Sequence, residues 1–227
     1  MKSGSLPAKA DPEQQRWFRD TVLKPLMKRA RQGKATLLFA DASHFVMGGD
    51  YLGCIYGLTR RFVRTFSGRK RYNVLGALDY ATKKLTRVAN ATYITADEVC
   101  QLLRKIAEEY VGDAMKPVFL VLDNARYQKC EAVRGLAKEL GIHLIFIPPY
   151  SPNLNLIERL WKFVKKGLRS QYYSDFKAFC ERIDSIIDST HSSSFDAISR
   201  LIGKGVQVFE GITPASNNSF GIRKRTA

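Results

Sequence analysis

The sequence predicts an α/β protein in which helices flank a mixed β-sheet. Two apolar runs without polar alternation, at residues 36–40 and 118–122, are typical of strands buried on both faces. Short β-prone pieces separated by turn-forming residues lie between them and predict an antiparallel meander. A further apolar run at 142–147 follows a segment of helical periodicity, so a right-handed crossover should add a parallel strand. We therefore expect a five-stranded sheet that combines an antiparallel meander with two parallel strands.

The first half of the chain offers clear start and stop signals. Asp11 followed by Pro12 predicts the beginning of a helix, which Pro25 should kink or split. The β-prone pieces of the meander are residues 51–56, 61–66, 72–78 and 85–92. Asp50 and Asp79 are interpreted as turn residues between such pieces, because aspartate is favoured there.

The second half continues with helices and one strand. Thr95 and Glu98 have the spacing of a capping box for a helix that runs to about residue 110. A helix is predicted over 125–140, and Gly141 suits the position after its end. Asn155 is the predicted N-cap of the next helix, and Ser174 that of another. A short helix is expected at 196–202.

Composition and charge limit the class of partner. An apolar fraction of 45% over 227 residues is ample for a core, and the formal net charge of 37 − 21 = +16 favours binding to phosphate backbones. No apolar stretch is long enough to span a membrane, so we expect a cytoplasmic protein. The four cysteines are widely spaced without a C-x-x-C pair, which predicts reduced thiols rather than a zinc or redox site.

Three carboxylates stand out by their placement. Asp41 and Asp123 each follow an apolar strand, and Glu158 lies in the first turn of a predicted helix. If the two strands are neighbours, the three acids converge at one edge of the sheet and require divalent cations to offset their repulsion. Oxygen ligands without histidine or cysteine select Mg²⁺ or Mn²⁺. Two such ions about 4 Å apart can cleave a phosphodiester bond in line.

Each acid also has a structural interpretation. Glu158 could complete a capping box or pair with Lys162, and Asp123 with Asn124 could begin a turn. The shared placement of the three acids and the large positive charge favour the catalytic interpretation.

Basic side chains provide candidates for DNA contact. Lys162, Lys165 and Arg169 are predicted on the helical face that carries Glu158, with a solvated face as the alternative. The other candidates are Arg126, Arg69, Lys70 and Arg71. The basic run at 28–34 could equally complement a helix dipole, and the basic tail at 223–225 could simply be disordered.

Three motifs resemble those of a known family. They are Leu-Leu-Phe-Ala-Asp at 37–41, Asp-Asn-Ala-Arg-Tyr at 123–127 and Pro-Tyr-Ser-Pro-Asn-Leu-Asn-Leu-Ile-Glu-Arg-Leu-Trp at 149–161. Together with the thirty-four residues between Asp123 and Glu158, they resemble bacterial insertion-sequence transposases of the mariner-like superfamily, six-thirty group. The similarity extends from about residue 7 to residue 173.

This resemblance implies a ribonuclease H-like fold with Asp41, Asp123 and Glu158 as the ligands of two Mg²⁺ or Mn²⁺ ions. It implies cleavage of double-stranded DNA at terminal inverted repeats, followed by attack of the freed 3′-hydroxyl on a TA dinucleotide. It also implies a homodimer in the active complex and a location at the bacterial nucleoid. The corresponding domains are an N-terminal helix and linker at 1–34, the catalytic domain at 35–173 and a C-terminal helical extension with a basic tail at 174–227.

The sequence departs from the family pattern in three respects. Leu156 stands where many relatives have proline, and Tyr127 and Gln128 stand where some have histidine. The segment before Asp41 is too short for the helix-turn-helix modules that usually precede this domain. Two alternatives follow: a catalytically silent DNA-binding remnant of a transposase, and a ribonuclease H-type or Holliday-junction nuclease that cuts without strand transfer.

Overall fold

The computed structural model describes residues 9–48, 68–112, 116–169 and 171–208. The predicted strands at 51–56 and 61–66, the turn residue Asp50 and the basic tail at 223–225 lie outside these ranges. In chain order the helices and strands are α1 (Pro12–Phe18), a π-helical segment (Arg19–Leu23), α2 (Lys24–Arg31), β1 (Thr36–Met47), β2 (Lys70–Asp79), β3 (Leu85–Asn90), α3 (Ala96–Tyr110), β4 (Val118–Leu122), α4 (Glu131–Glu139), β5 (Ile142–Phe146), α5 (Ile157–Gly167), α6 (Phe176–Ser189) and α7 (Phe195–Gly203).

The five strands form one mixed sheet in the order β3-β2-β1-β4-β5. β1 pairs antiparallel with β2, which pairs antiparallel with β3. On its other side β1 pairs in parallel with β4, and β4 pairs in parallel with β5. The predicted combination of an antiparallel meander with two parallel strands is therefore confirmed.

Helices cover both faces of this sheet. One face packs against α1, α2, α5, α6 and α7 through a large apolar cluster, in which Phe39, Phe45 and Trp161 are among the largest fully buried side chains. The other face packs against α3 and α4 through a second cluster that includes Leu38 and Leu120. Alternate residues of β1 thus face opposite layers, as the two-residue period of a strand requires.

The predicted start signals of the early helices are confirmed. The carboxylate of Asp11 accepts hydrogen bonds from the backbone N–H groups of Glu13 and Gln14 at 2.9 and 3.1 Å. The π-helical segment directly precedes Pro25, which lacks the N–H that a regular helix needs at that point. Thr95 and Glu98 form the predicted capping box.

Two predicted boundaries and the predicted burial of one strand were wrong. α4 begins at Glu131 instead of residue 125, because the chain first makes a 3₁₀ turn at Arg126–Gln128. The cap of α6 is Asp175, whose carboxylate accepts from the Ala178 N–H at 2.8 Å, while Ser174 only donates to Asp175. β5 was expected to be buried on both faces, but it is the edge strand and its residues are mostly half-buried.

Two exclusions made from the sequence concern thiols and membranes. The cysteines within the described ranges, Cys100, Cys130 and Cys180, are free. In the part of the chain that the structure describes, no helix combines the length and the apolar character needed to cross a bilayer.

Candidate active site

The sequence suggested that Asp41 lies at the end of a strand, but it lies in the middle of β1. The strand continues to Met47 because it keeps its antiparallel pairing with β2, in which Asp41 is opposite Gly76. Its parallel pairing with β4 ends earlier, at Phe39 opposite Val121. Asp41 is therefore the position at which β1 loses its parallel neighbour.

The parallel register brings Asp41 and Asp123 together. Each acid lies two residues beyond the last pair, Phe39 and Val121, so both extend from the same end and the same face of neighbouring strands. Adjacent strands are about 4.8 Å apart. This face is the one that α5 covers, since Phe39 and Phe45 belong to the same apolar cluster as the buried side of α5.

Asn155 contributes an interaction that the sequence did not predict. It was expected to cap α5, but the N-cap is Leu156, and Asn155 ends a 3₁₀ turn at Pro152–Leu154. Its side-chain Nδ2 donates to the backbone oxygen of Ala40 at 2.9 Å and to Oδ1 of Asp123 at 3.1 Å. The buried amide thus ties the Asp123 carboxylate to β1 next to Asp41. The sequence signal for this interaction was an asparagine among apolar residues, three positions before Glu158.

Glu158 is the second residue of α5, and no capping box involves it. The apolar side of the helix, which includes Leu160 and Trp161, is fixed in the core, with Trp161 against Phe45 at a ring-centroid distance of 6.3 Å. Trp161 is therefore a core residue. Its indole N–H also lies near enough to Asp41 to favour the ionised carboxylate, although the geometry falls short of a hydrogen bond.

The pKa shifts show that the three acids share one electrostatic environment. Burial, followed by the charges of Asp123 and Glu158, raises the pKa of Asp41 to about 8. Burial also raises the pKa of Asp123, against the hydrogen bond from Asn155. For Glu158, burial and the charge of Asp123 raise the pKa, whereas Lys162 and Lys165 lower it. Burial disfavours the ionised form of all three acids, and neighbouring charges add to this at Asp41 and Glu158, so the site is suited to bound cations.

The carboxylates do not form a closed cage for a single ion. Within the described ranges, no three acidic, histidine or cysteine side chains are close enough to hold one ion jointly. Two ions that each bind a different pair of carboxylates would not need such a cage.

Tyr127 is a further member of this environment. Its phenol is half-buried, and burial together with the charges of Asp41 and Asp123 raises its pKa. The 3₁₀ turn at Arg126–Gln128 that displaced the start of α4 places it there. The sequence marked this position only as a departure from the family pattern.

The predicted basic contacts lie in three places. Lys162 and Lys165 are exposed on α5 and act electrostatically on Glu158, and the exposed Arg169 follows the end of the helix. The segment at 69–71 lies elsewhere, because Lys70 is opposite Met47, six residues along β1 from Asp41. At about 3.4 Å a residue, this is on the order of 20 Å from the acids. Arg126 is exposed on the turn after Asp123.

Comparisons with known proteins agree with this arrangement. A family model described as DDE superfamily endonuclease matches residues 36–180, which are 145 of the 227 residues and include all three acids. No curated protein sequence matches the chain.

Several solved structures share the fold. A Mos1 mariner paired-end complex with Mn is 15% identical with a TM-score of 0.64, and the match covers 92% of this chain and 68% of the Mos1 chain. A Mos1 paired-end complex with Mg is 16% identical with a TM-score of 0.63, and the match again covers 92% of this chain and 68% of the Mos1 chain. The catalytic domain of Mos1 mariner transposase is 14% identical with a TM-score of 0.56, over 91% of this chain and 100% of its own.

At these identities the likeness concerns the fold, and it confirms the predicted ribonuclease H-like architecture. The family assignment rests on the sequence model, which spans more than half of the chain from β1 into α6. The protein belongs to the DDE superfamily of endonucleases.

Proposed function

We propose that this chain is the catalytic domain of a DNA transposase, with Asp41, Asp123 and Glu158 as its catalytic triad. The observation that carries the proposal is the placement of these acids: the parallel register puts Asp41 and Asp123 on one face of neighbouring strands, and Glu158 lies in the first turn of α5, the helix that covers this face. Partly buried acids placed together cost stability, so their presence in a nuclease-family domain favours a metal-dependent role.

The donor set fits Mg²⁺ or Mn²⁺. All three candidate ligands are carboxylates, and hard divalent cations prefer oxygen. Asn155 occupies Oδ1 of Asp123, which leaves Oδ2 of that residue for a ligand. When bound, two such ions would activate the attacking oxygen and stabilise the leaving oxygen of a phosphodiester. Mos1 complexes solved with Mn and with Mg support this choice of metal.

The chain's own residues would hold and orient the DNA. Lys162 and Lys165 stand beside Glu158 and would bind the phosphates that flank the reacting bond. The Asn155 amide would hold the Asp123 carboxylate in one orientation while the substrate exchanges. The proposed reaction is hydrolytic cleavage at terminal inverted repeats, followed by attack of the 3′-hydroxyl end on a TA target.

The active complex is proposed to be a homodimer on two transposon ends, since the Mos1 relatives were solved as paired-end complexes. Binding to chromosomal DNA would place the protein at the bacterial nucleoid.

The test combines a pre-cut 3′-hydroxyl duplex, a TA-containing plasmid and Mn²⁺. We expect nicked and joined products from the natural chain, and none from Asp123→Asn at unchanged DNA affinity. Asp97→Asn, which changes an exposed acid on α3, serves as the control and should retain both activities. Normal cleavage by Asp123→Asn would refute the assigned role.

The same assay separates the alternatives. A silent remnant would bind the duplex with strong salt dependence but would never nick it at any metal concentration. A ribonuclease H-type or junction nuclease would nick the DNA without producing a joined product.

A further inference from the structure

We propose that the DNA-binding surface beside the three acids continues into a basic groove between α5 and α7, which holds the duplex backbone. The groove has a volume of about 510 Å³. Its charged lining residues are Arg159, Lys162, Lys166, Arg200 and Lys204. No acidic residue lines it among the described residues. The proposal rests on the proposed function, but α7 lies outside the matched family region, which ends at residue 180.

Four of these five cations are available to a ligand. Lys162, Lys166, Arg200 and Lys204 are exposed, and none of them takes part in an ion pair within the described ranges. Unpaired cations around one groove repel one another, so a polyanion that enters it relieves this repulsion.

Arg159, the fifth cation, is bonded to the backbone near the end of α7. Its guanidinium donates to the backbone oxygens of Leu201 at 2.7 Å and Gly205 at 2.5 Å, both near the end of α7. These bonds attach the end of α7 to the residue next to Glu158. Arg159 therefore holds the two walls of the groove together, and the other four cations remain for a ligand.

The groove starts at the candidate active site. Lys162 and Lys166 follow Glu158 at intervals of four residues along α5, so they lie on one helical stripe. At 1.5 Å a residue they are about 6 and 12 Å from Glu158 along the helix axis. A DNA strand whose reacting phosphate lies at the acids would place its next phosphates along this stripe.

The lining favours DNA backbone over an acidic protein segment. Between the cations the groove is floored by Phe163, Ala197 and Leu201, and no neutral hydrogen-bonding side chain lines it. The charged lining residues are all hydrogen-bond donors, and they match the row of anionic oxygens along a DNA backbone, whereas the N–H donors of a peptide or a base edge would find no acceptor side chain there. Binding there should be independent of sequence.

A second basic pocket extends the surface. It has a volume of about 440 Å³ and shares Lys204 with the groove. Lys28 and Arg31 of α2 line its other side. The basic run at 28–34, for which the sequence left two interpretations open, therefore borders the proposed path of the DNA.

The test compares two triple variants of the full chain with equal charge. Lys166→Ala/Arg200→Ala/Lys204→Ala removes groove cations. Arg104→Ala/Arg134→Ala/Lys138→Ala removes exposed cations from α3 and α4, on the opposite face of the sheet. Each leaves a formal net charge of 16 − 3 = +13. Binding of a random-sequence duplex of about 20 base pairs is measured by fluorescence anisotropy in EDTA between 50 and 300 mM salt.

We expect the groove variant to bind roughly 10- to 100-fold more weakly at moderate salt, with the slope of log K against log salt reduced by about 2 to 3. The opposite-face variant should keep the slope. A charge-retaining variant, Lys166→Arg/Arg200→Lys/Lys204→Arg, should also keep it, which shows that charge and not side-chain identity is the cause, and an unchanged Tm of the groove variant by circular dichroism excludes misfolding.

Equal losses in both alanine variants, or no loss in the groove variant, would overturn the proposal. Tighter binding of polyglutamate than of DNA, abolished only in the groove variant, would overturn the choice of DNA as ligand. Because no metal is present, the result holds whether or not the chain cleaves DNA.

Discussion

Asp41 provides the sharpest test of the carboxylate cluster, because its environment opposes ionisation. An acid whose pKa is raised on folding binds its proton more tightly in the folded state than in the unfolded state. Its contribution to the free energy of unfolding therefore falls as the pH rises from its ordinary pKa of 3.8 towards about 8. Asp41→Asn removes this loss, so the variant should gain stability over the natural chain as the pH rises.

The size of the effect follows from the shift. Each pH unit within this window is worth about 1.4 kcal/mol for a fully buried carboxyl, so the interval from pH 4.5 to 7.5 is worth about 4 kcal/mol. Asp41 is only partly shielded from solvent, and we therefore expect about 2 kcal/mol. For a chain of 227 residues this widens the difference in Tm between variant and natural chain by about 4 °C.

The assay is thermal unfolding in EDTA at a series of pH values, followed by circular dichroism. Asp97→Asn, an exposed change on α3, should give a curve parallel to that of the natural chain. Millimolar Mg²⁺ should raise the Tm of the natural chain at pH 7.5 and leave the Tm of Asp41→Asn little changed, because only the natural chain has the complete set of carboxylates. Parallel pH curves for Asp41→Asn and the natural chain would refute the reasoning.

Two further predictions concern residues around the acids. Asn155→Ala removes both hydrogen bonds of the amide. It should weaken Mn²⁺ binding, measured by calorimetry, by about 10- to 100-fold, because a metal ligand that loses its hydrogen-bond partner is held less firmly. Unchanged affinity would show that Asp123 needs no such support. Gly76→Ala should cost about 1 to 3 kcal/mol in urea unfolding, since its Cβ would lie 2.8 Å from Leu85 Cδ1 and 3.1 Å from Trp161 Cη2. Gly135→Ala in α4 is its control, because a Cβ there meets nothing within 4 Å, and it should stabilise the protein by up to about 1 kcal/mol.

Local signals in the sequence predicted most of the fold. Apolar runs without alternation identified β1 and β4, helical periodicity identified the apolar side of α5, and cap chemistry identified the starts of α1 and α3. These features depend on residues close in sequence, or on how much apolar surface an element must bury. The right-handed crossover predicted that β4 and β5 run parallel, whereas the adjacency of β1 and β4 entered only as a condition.

The errors arose where a distant partner decides the outcome. β1 runs past Asp41 because β2 continues to pair with it, and nothing in residues 36–41 contains that information. Asn155 is a residue type that N-caps favour, but its side-chain amide donates to the Ala40 backbone oxygen and the Asp123 carboxylate instead of capping α5. The depth of burial of β5 depended on whether another strand followed it in the sheet. The position of Tyr127 beside the acids likewise required the turn after β4.

The arrangement of α5 connects the stability of the core with the candidate chemistry. Trp161 packs over Gly76, which lies opposite Asp41 on the neighbouring strand, so this apolar contact holds α5, the helix that carries Glu158, against β2 beside Asp41. The exposed side of the same helix carries Lys162 and Lys166 into the basic groove. Repulsion among the acids opposes this packing without a cation, whereas burial of Trp161 and its neighbours favours it. A change that enlarges Gly76 should therefore perturb stability, metal affinity and DNA affinity together, whereas Asn155→Ala, which loses both hydrogen bonds of the buried amide, should lower metal affinity and stability and leave DNA affinity unchanged.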